Sequence, residues 1–264
     1  MTSSDNTRNM PDQPGRPMPD AHAEREAFTQ NLLRWQSDSP SYGASAAPSS
    51  GSATASTPPA QALSEIIQRA SARSVMWDGQ RLSDAAQSLR ANGQPIPPDA
   101  AFYTNISIMN VISHAIEERI IAERRRCEVY AGFQRLALVR PQLRRYRALA
   151  EFARHVYLFG IDDTKGDAEV YGLGPQTTLR FDIKPALGTG LEHFWFVVVD
   201  DSRTPTALLA QHTEGDLWSP RQANRSFAGI WTFDPGLVAE IIAILRRGAR
   251  ILYYNTPAAG SAGG

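Results

Sequence analysis

The chain has 264 residues, and its lysine plus arginine and its aspartate plus glutamate both total 27, so the formal net charge is zero. A neutral chain creates no overall field to draw it onto nucleic acid or an anionic membrane, so any such contact would need a local patch. The single cysteine, Cys127, excludes an internal disulfide and any multi-thiolate zinc or iron–sulfur site within one chain.

The amino terminus has neither the basic start nor the apolar stretch of a secretory signal, and no apolar run is long enough to span a bilayer. A soluble, cytoplasmic protein is expected. Over Ala21 to Trp35, Phe28, Leu32 and Trp35 share one helical stripe, which could dock on a partner or on the body of the protein. The plainer reading is a mostly disordered tail. From Gln36 to Ala60, 22 of 25 positions are Ser, Thr, Pro, Gly or Ala, which offers too little apolar surface to offset the entropy of ordering. Residues 1–60 are therefore expected to be tail and linker, 61–254 one folded domain, and 255–264 a flexible end.

Folded sequence begins where Leu63, Ile66, Ile67 and Ala70 repeat at helical spacing. A short helix is predicted around Leu82 to Leu89, stopped by Asn92-Gly93 and the prolines at 95, 97 and 98. Asn105 can cap a long helix running to about Arg126, with Ile108, Ile112, Ala115, Ile116 and Ile120 on its apolar face. Another helix is predicted over Gln142 to Arg154, with Pro141 at a tolerated first-turn position and Leu143, Tyr146, Leu149, Ala150 and Ala153 facing inward.

The texture then changes to β-branched and aromatic runs bounded by turn residues. His155 to Ile161, Thr177 to Ile183, His193 to Val199, Thr206 to His212 and Phe227 to Phe233 are predicted strands. HFWFVVV is apolar almost throughout and should lie mid-sheet with both faces covered, whereas TTLRFDI should have one wet face. Asp200 to Pro205 reads as a hairpin turn. Asp234 can cap a terminal helix from Pro235, and a last short strand is placed at Arg250 to Tyr254. The expected class is α+β: a mixed or antiparallel sheet of about four to five strands, packed by N-terminal helices and a C-terminal helix, without repeated βαβ units.

Motifs that carry chemistry are sparse. The pairs Asp162-Asp163 and Asp200-Asp201 each follow a strand, where Mg²⁺ ligands or a phosphoacceptor often gather, but turn geometry alone accounts for aspartate there. The five histidines lack metal spacing, Cys127 has no nearby histidine, and there is no GxSxG elbow or phosphate loop. Neither a catalytic set nor a metal site is expected. On the capped helix, His114, Asn110, Glu117 and Glu118 form a polar group opposite Ile112 and Ile116, either a ligand or pH-responsive cluster or an ordinary solvated face. From Arg119 to Arg154 ten arginines face three glutamates. Ordinary helix surface explains most of these; a partner-protein or anionic-ligand face is the alternative, and no recognition-helix motif suggests nucleic acid. Tyr157, Phe159, Phe181, Phe194, Trp195, Phe196, Trp231 and Phe233 make the strands rich in aromatics, which either form core or line an apolar pocket.

Five pieces of sequence, in order, resemble the DICT sensory domain of diguanylate cyclases and two-component proteins. They are SHAIEERIIA (113–122), GFQR (132–135), RYRALAEFARHVYLFG (145–160), FWFVVVDD (194–201) and FAGIWTFDPGLV (227–238), within a span of about Gln61 to Arg247. The resemblance implies an α+β signal sensor on a roughly four-stranded sheet, tied to light responses. Such modules usually sit beside an output domain, and this chain has no room for one, so the output is expected in a signalling partner in trans or through homodimerisation. The family carries no established catalytic set, and no cofactor can be named from it. A small ligand or a chromophore is expected, with no direct nucleic acid and no membrane contact; the alternatives are a dimerisation or docking module without a ligand and, less favoured, a phosphoryl-transfer enzyme using the aspartate pairs. His114, Glu117, Phe133 and Gln134 are the matched polar and aromatic positions to test first, and Tyr157, Phe159, Phe194, Phe196 and Trp231 are the candidate pocket lining.

Overall fold

The computed structural model describes residues 57–92, 99–164, 178–183, 188–215 and 225–255, with Gln30 alone ahead of them. The expected helix over Ala21 to Trp35 and the tails at either end lie almost wholly outside these residues.

Within residues 57–255, five helices and eight strands follow one another among the described residues: α1 (Pro59–Ser71), β1 (Val75–Trp77), α2 (Gly79–Asn92), β2 (Ala100–Asn105), α3 (Ile106–Ala122), β3 (Glu128–Arg135), a 3-10 segment (Leu136–Gln142), α4 (Leu143–Phe152), β4 (His155–Ile161), β5 (Thr178–Asp182), a 3-10 turn (Leu191–His193), β6 (Phe194–Asp200), β7 (Thr206–Glu214), β8 (Ser226–Thr232) and α5 (Pro235–Asn255). The strands form a single mixed sheet in the order β1-β2-β8-β7-β6-β3-β4-β5. Its middle is antiparallel, while β1 runs parallel to β2, and β3, β4 and β5 run parallel to one another.

The side-chain period of two sorts every strand between two cores. Ala131, Val197, Val199, Leu208, Ala210 and Trp231 meet α2, α3 and α4 on one face. Tyr130, Phe159, Phe196, Val198, Leu209 and Ile230 meet α1 and α5 on the other. Strand β6 lies between β3 and β7 with both faces covered, as its unbroken apolar text requires. Strand β5 is an edge, and none of its residues is buried.

Helix termini follow the local chemistry. The Asn105 side chain accepts from the amides of Ser107 and Ile108 at 3.0 and 3.2 Å, and Asp234 Oδ1 accepts from Leu237 N at 2.7 Å. Helix α3 ends at Ala122 rather than Arg126 because Arg124 takes a left-handed conformation (φ 51°) and the chain turns back.

The expected strand number is too low. Strands β1, β2 and β3 were not anticipated: β1 is three residues long, β2 (AAFYTN) directly abuts the cap of α3, and β3 (EVYAGFQR) has charged ends and a central glycine. Their pairing creates two parallel β-helix-β crossovers, β1-α2-β2 and β3-α4-β4, both on the same face of the sheet. Arg250 to Tyr254 is not a strand but the last turn of α5, because Leu245, Ala249 and Leu252 continue the buried stripe of Ile241 at helical spacing.

Gly229 on β8 sits where its neighbour's backbone is closest. A Cβ there would lie 2.4 Å from Leu209 O and 2.7 Å from Ala210 Cα. Gly229→Ala must therefore push β7 and β8 apart, and a loss of about 2 kcal/mol is expected in urea unfolding. An unchanged midpoint would show that the two strands have room.

Candidate functional site

The site lies between α3, α4 and the strand ends of β3 and β6. On α3, Met109, Ile112, Ser113, Ile116, Glu117 and Ile120 are buried, so two polar residues one turn apart, Ser113 and Glu117, belong to the inward stripe. Glu117 therefore does not share a wet face with His114 and Glu118: it is 2% exposed, whereas Glu118 is exposed and pairs with Arg90 at 2.8 Å.

Glu117 is held from α4. Arg145 Nε donates to Oε2 and the Tyr146 hydroxyl donates to Oε1, both at 2.5 Å. Burial pushes the Glu117 carboxyl above the usual carboxylate range, and the Arg145 guanidinium and the Tyr146 hydroxyl pull it back. Burial, and then the adjacent carboxylate, raise the Tyr146 phenol well above its usual value. His114, half-buried beside Gln142 and Arg145, is lowered mainly by burial and secondarily by the arginine.

The GFQR sequence shapes the floor. A Cβ on Gly132 would fall 2.4 Å from the Phe196 ring, so only glycine lets that ring cross β3 on the far face. The register of β3 on β4 then slips between Gly132 and Gln134, a β-bulge with Phe133 as the extra residue. Phe133 meets Tyr146 edge-on at 5.1 Å. Gln134 takes a left-handed φ of 61°, rare for glutamine, and accepts a hydrogen bond from Arg225 ahead of β8. Gln134 is fully buried, and its Nε2 has no partner among the described residues. Arg225 also lies over the Phe227 ring at 5.2 Å, and Trp195 meets Phe227 edge-on at 5.7 Å while donating from Nε1 to Ser113 Oγ at 3.0 Å.

A cavity of about 10 Å³ remains among Ser113, Glu117, Phe133, Gln142, Tyr146 and Trp195. That is room for about one water. Its lining mixes the aromatic Phe133, Tyr146 and Trp195 with the polar Ser113, Glu117 and Gln142.

The nine candidate residues fall into three places. Glu117 and Phe133 line this cavity, whereas His114 lies outside its lining, beside Gln142 and Arg145, and Gln134 follows Phe133 on β3 and meets Arg225. Tyr157, Phe159 and Phe194 belong to the opposite face, and Phe196, whose ring packs there, also borders the cavity. There the rings pack on one another: Tyr157 lies 4.5 Å from Tyr130 and Phe159 lies 5.5 Å from Phe196. Trp231 lies on the cavity's face but beside β2, against Phe233 at 5.8 Å. Sequence reasoning did not single out Ser113, Arg145, Gln142 or Arg225 as site residues. Ser113 and Arg145 do fall within the stretches 113–122 and 145–160 that carry the resemblance, whereas no motif marks Gln142 or Arg225.

The remaining sequence candidates have local roles. Asp201 Oδ1 accepts from Arg203 N at 2.8 Å within the β6–β7 turn, and Asp200 pairs with Arg246 at 2.9 Å. Asp162 accepts from the Thr164 hydroxyl at 2.7 Å, and Asp163 takes the Ala137 amide and Arg135 Nε at 2.8 and 2.7 Å. These aspartates make the turn and bracing contacts that aspartate commonly makes. Cys127 is buried and its thiol is pushed up to about 12, which makes it a poor nucleophile. Among the described residues no group of His, Cys, Asp and Glu could hold a metal ion, and no helix is long and apolar enough to cross a membrane.

Comparison with known proteins places the chain within a family. The model of DICT, the sensory domain in diguanylate cyclases and two-component systems, matches residues 82–213. The match runs from α2 into β7, and so takes in Ser113, Glu117, Gln134, Arg145 and Trp195 but stops short of Arg225 and Trp231. No curated protein and no solved structure matches the chain. With half of its length covered, including both helices and both strands that enclose the cavity, the chain belongs to the DICT family of sensory domains.

Proposed function

We propose that this protein is a cytoplasmic, non-catalytic sensory module in which a small ligand enters between α3 and α4, and that it relays the event to a signalling partner in trans or through a homodimer. The observation that supports this reading is the enclosed polar cluster of Ser113, Glu117, Arg145, Tyr146 and Trp195, which lies wholly within the matched sensory segment. Polar groups buried in a core cost stability unless they are paired, and here the pairing runs between two helices that a ligand could separate. With room for about one water, the cavity takes anything larger only if α4 moves outward. Helix α4 has ten residues and Ala153 leaves it in extended conformation, so it is the short element over the site.

Thermal-shift screening of the full chain against nucleotides, flavins, tetrapyrroles and carotenoids, with an absorption spectrum of natively purified protein for a chromophore, tests the reading. A true ligand at about a hundred times its Kd stabilises by about 2.7 kcal/mol, and that gain is expected to vanish in Ser113→Leu, which fills the space. No shift and no chromophore would remove ligand sensing. The small size of the cavity favours a second reading, an interaction module without a ligand. Light-scattering mass and pull-down distinguish it, since a monomer without partners removes that version.

A further inference from the structure

Nine of the ten arginines from Arg119 to Arg154 separate into two sets, with Arg140 apart from both. Arg119 pairs with Glu123 at 2.8 Å, Arg125 with Glu123 at 2.5 Å and with Asp201 at 3.3 Å, Arg135 with Asp163 at 2.7 Å, and Arg145 with Glu117 at 2.5 Å. These four hold the fold together. Arg124, Arg126, Arg144, Arg147 and Arg154 are exposed. Arg126, Arg144 and Arg147 make no hydrogen bond or ion pair among the described residues, and Arg154 comes no closer than 4.0 Å to Glu128.

Three of the exposed set converge. Arg124, Arg126 and Arg154 line a surface groove of about 530 Å³ between the α3–β3 turn and the end of α4, with Ala150 and Phe152 as apolar floor and Glu151 at its side. Arg124 lies over the Phe152 ring at 5.7 Å, and the Arg154 amide donates to Cys127 O at 2.7 Å, which ties the two walls together. Arg147 lies one turn before Glu151 on the outer side of α4, and Arg144 a further turn back. The surface thus sets five guanidiniums and an apolar floor against one free carboxylate.

We propose that this groove docks an acidic peptide segment of a partner protein, one with carboxylates flanking an apolar side chain that sits on Phe152. Guanidinium forks match carboxylates bidentately, and an apolar side chain seated on Phe152 would shield such pairs from water and strengthen them. Nucleic acid is the weaker candidate: the chain is neutral overall, the patch is short, and Glu151 stands beside it. The site names the partner chemistry for the relay proposed above and rests on that reading. Arg145 and Tyr146 on the inner side of α4 hold the cavity, while Arg144 and Arg147 on its outer side extend the groove, so a displacement of α4 would alter both. Because docking is measured on the ligand-free chain, failure of ligand sensing leaves the test of docking intact.

The test is fluorescence anisotropy of the full chain with a short dye-labelled peptide rich in glutamate around a central leucine pair, at low and at physiological salt. Saturable binding that weakens with salt is expected. The double variant R126E/R147E should lose about tenfold in affinity, whereas R73E/R81E, which makes the same net charge change at exposed arginines elsewhere, should change it by less than about twofold. Circular dichroism of both variants confirms that they fold. Absence of saturable binding overturns the proposal, as does an equal loss in the two variants. Tighter binding of a single-stranded DNA oligonucleotide, lost in the same variant, would reassign the groove to nucleic acid.

Discussion

Arg145→Met is expected to cost about 3–5 kcal/mol of stability, because it leaves the Glu117 carboxylate buried with only the Tyr146 hydroxyl as partner. A buried ion pair is weak evidence of net stabilisation, since two apolar residues of similar volume often do as well. The asymmetry is what matters here. Removing one charge strands the other, whereas E117L/R145M removes both and should recover most of the loss. Urea unfolding of the wild type, the two single variants and the double variant gives the coupling between the two residues directly. A loss below about 1 kcal/mol in Arg145→Met, or a double variant no better than the single, would mean that α4 is held by its apolar face and not by Glu117.

That outcome bears on the proposed sensing step. Tyr146, Leu149 and Ala150 give α4 only a narrow buried stripe, so the bonds to Glu117 are a large part of what fixes it over the sheet. A ligand that supplies its own acceptor to Arg145 could replace Glu117 at little net cost, because charge-assisted bonds would be exchanged and not lost. The Arg145 Nη2 group, out of contact with solvent and without a hydrogen bond among the described residues, is already positioned to make one more.

Much of the fold was legible because strong local signals agreed with the tertiary outcome. Asn105 and Asp234 cap the helices they were expected to cap, Leu63 to Ala70 bury as their spacing requires, and the apolar run of β6 lies inside the sheet. The three missed strands lack such signals. Strand β3 carries Glu128 and Arg135 at its ends and Gly132 at its centre, and its place between β6 and β4 is set by partners distant in sequence. The site was legible only where it lies within a continuous motif. GFQR could be singled out, but that Glu117 turns inward depends on Arg145, 28 residues away, and on Tyr146, 29 residues away. Periodicity alone assigns a glutamate to the wet face. Arg225 meets Gln134 across 91 residues, and no spacing rule connects them.

A second carboxylate is buried without such support, and its effect should appear as a pH dependence of stability. Glu192 lies in the 3-10 turn before β6, 1% exposed, and among the described residues neither of its carboxylate oxygens has a side-chain hydrogen-bond partner. His193 Nε2 stands 3.7 Å from Oε1, and burial lowers that imidazole below its usual range, which keeps it neutral as pH rises. Burial pushes the Glu192 carboxyl up, so the folded chain holds this proton more tightly than the unfolded chain does. The contribution to stability is therefore complete below the ordinary carboxylate pKa and is lost as pH rises through the raised one. Each pH unit between the two costs about 1.4 kcal/mol. Glu192→Met keeps the length of the side chain and removes the titration. Its stability relative to the wild type should be lowest at acid pH, climb as pH rises above the ordinary carboxylate range and level off above the raised pKa in paired urea unfolding series, with Glu117 common to both proteins and cancelling in the difference. Parallel curves across that range would show that Glu192 ionises without penalty, and that the turn before β6 opens to water more readily than its burial implies.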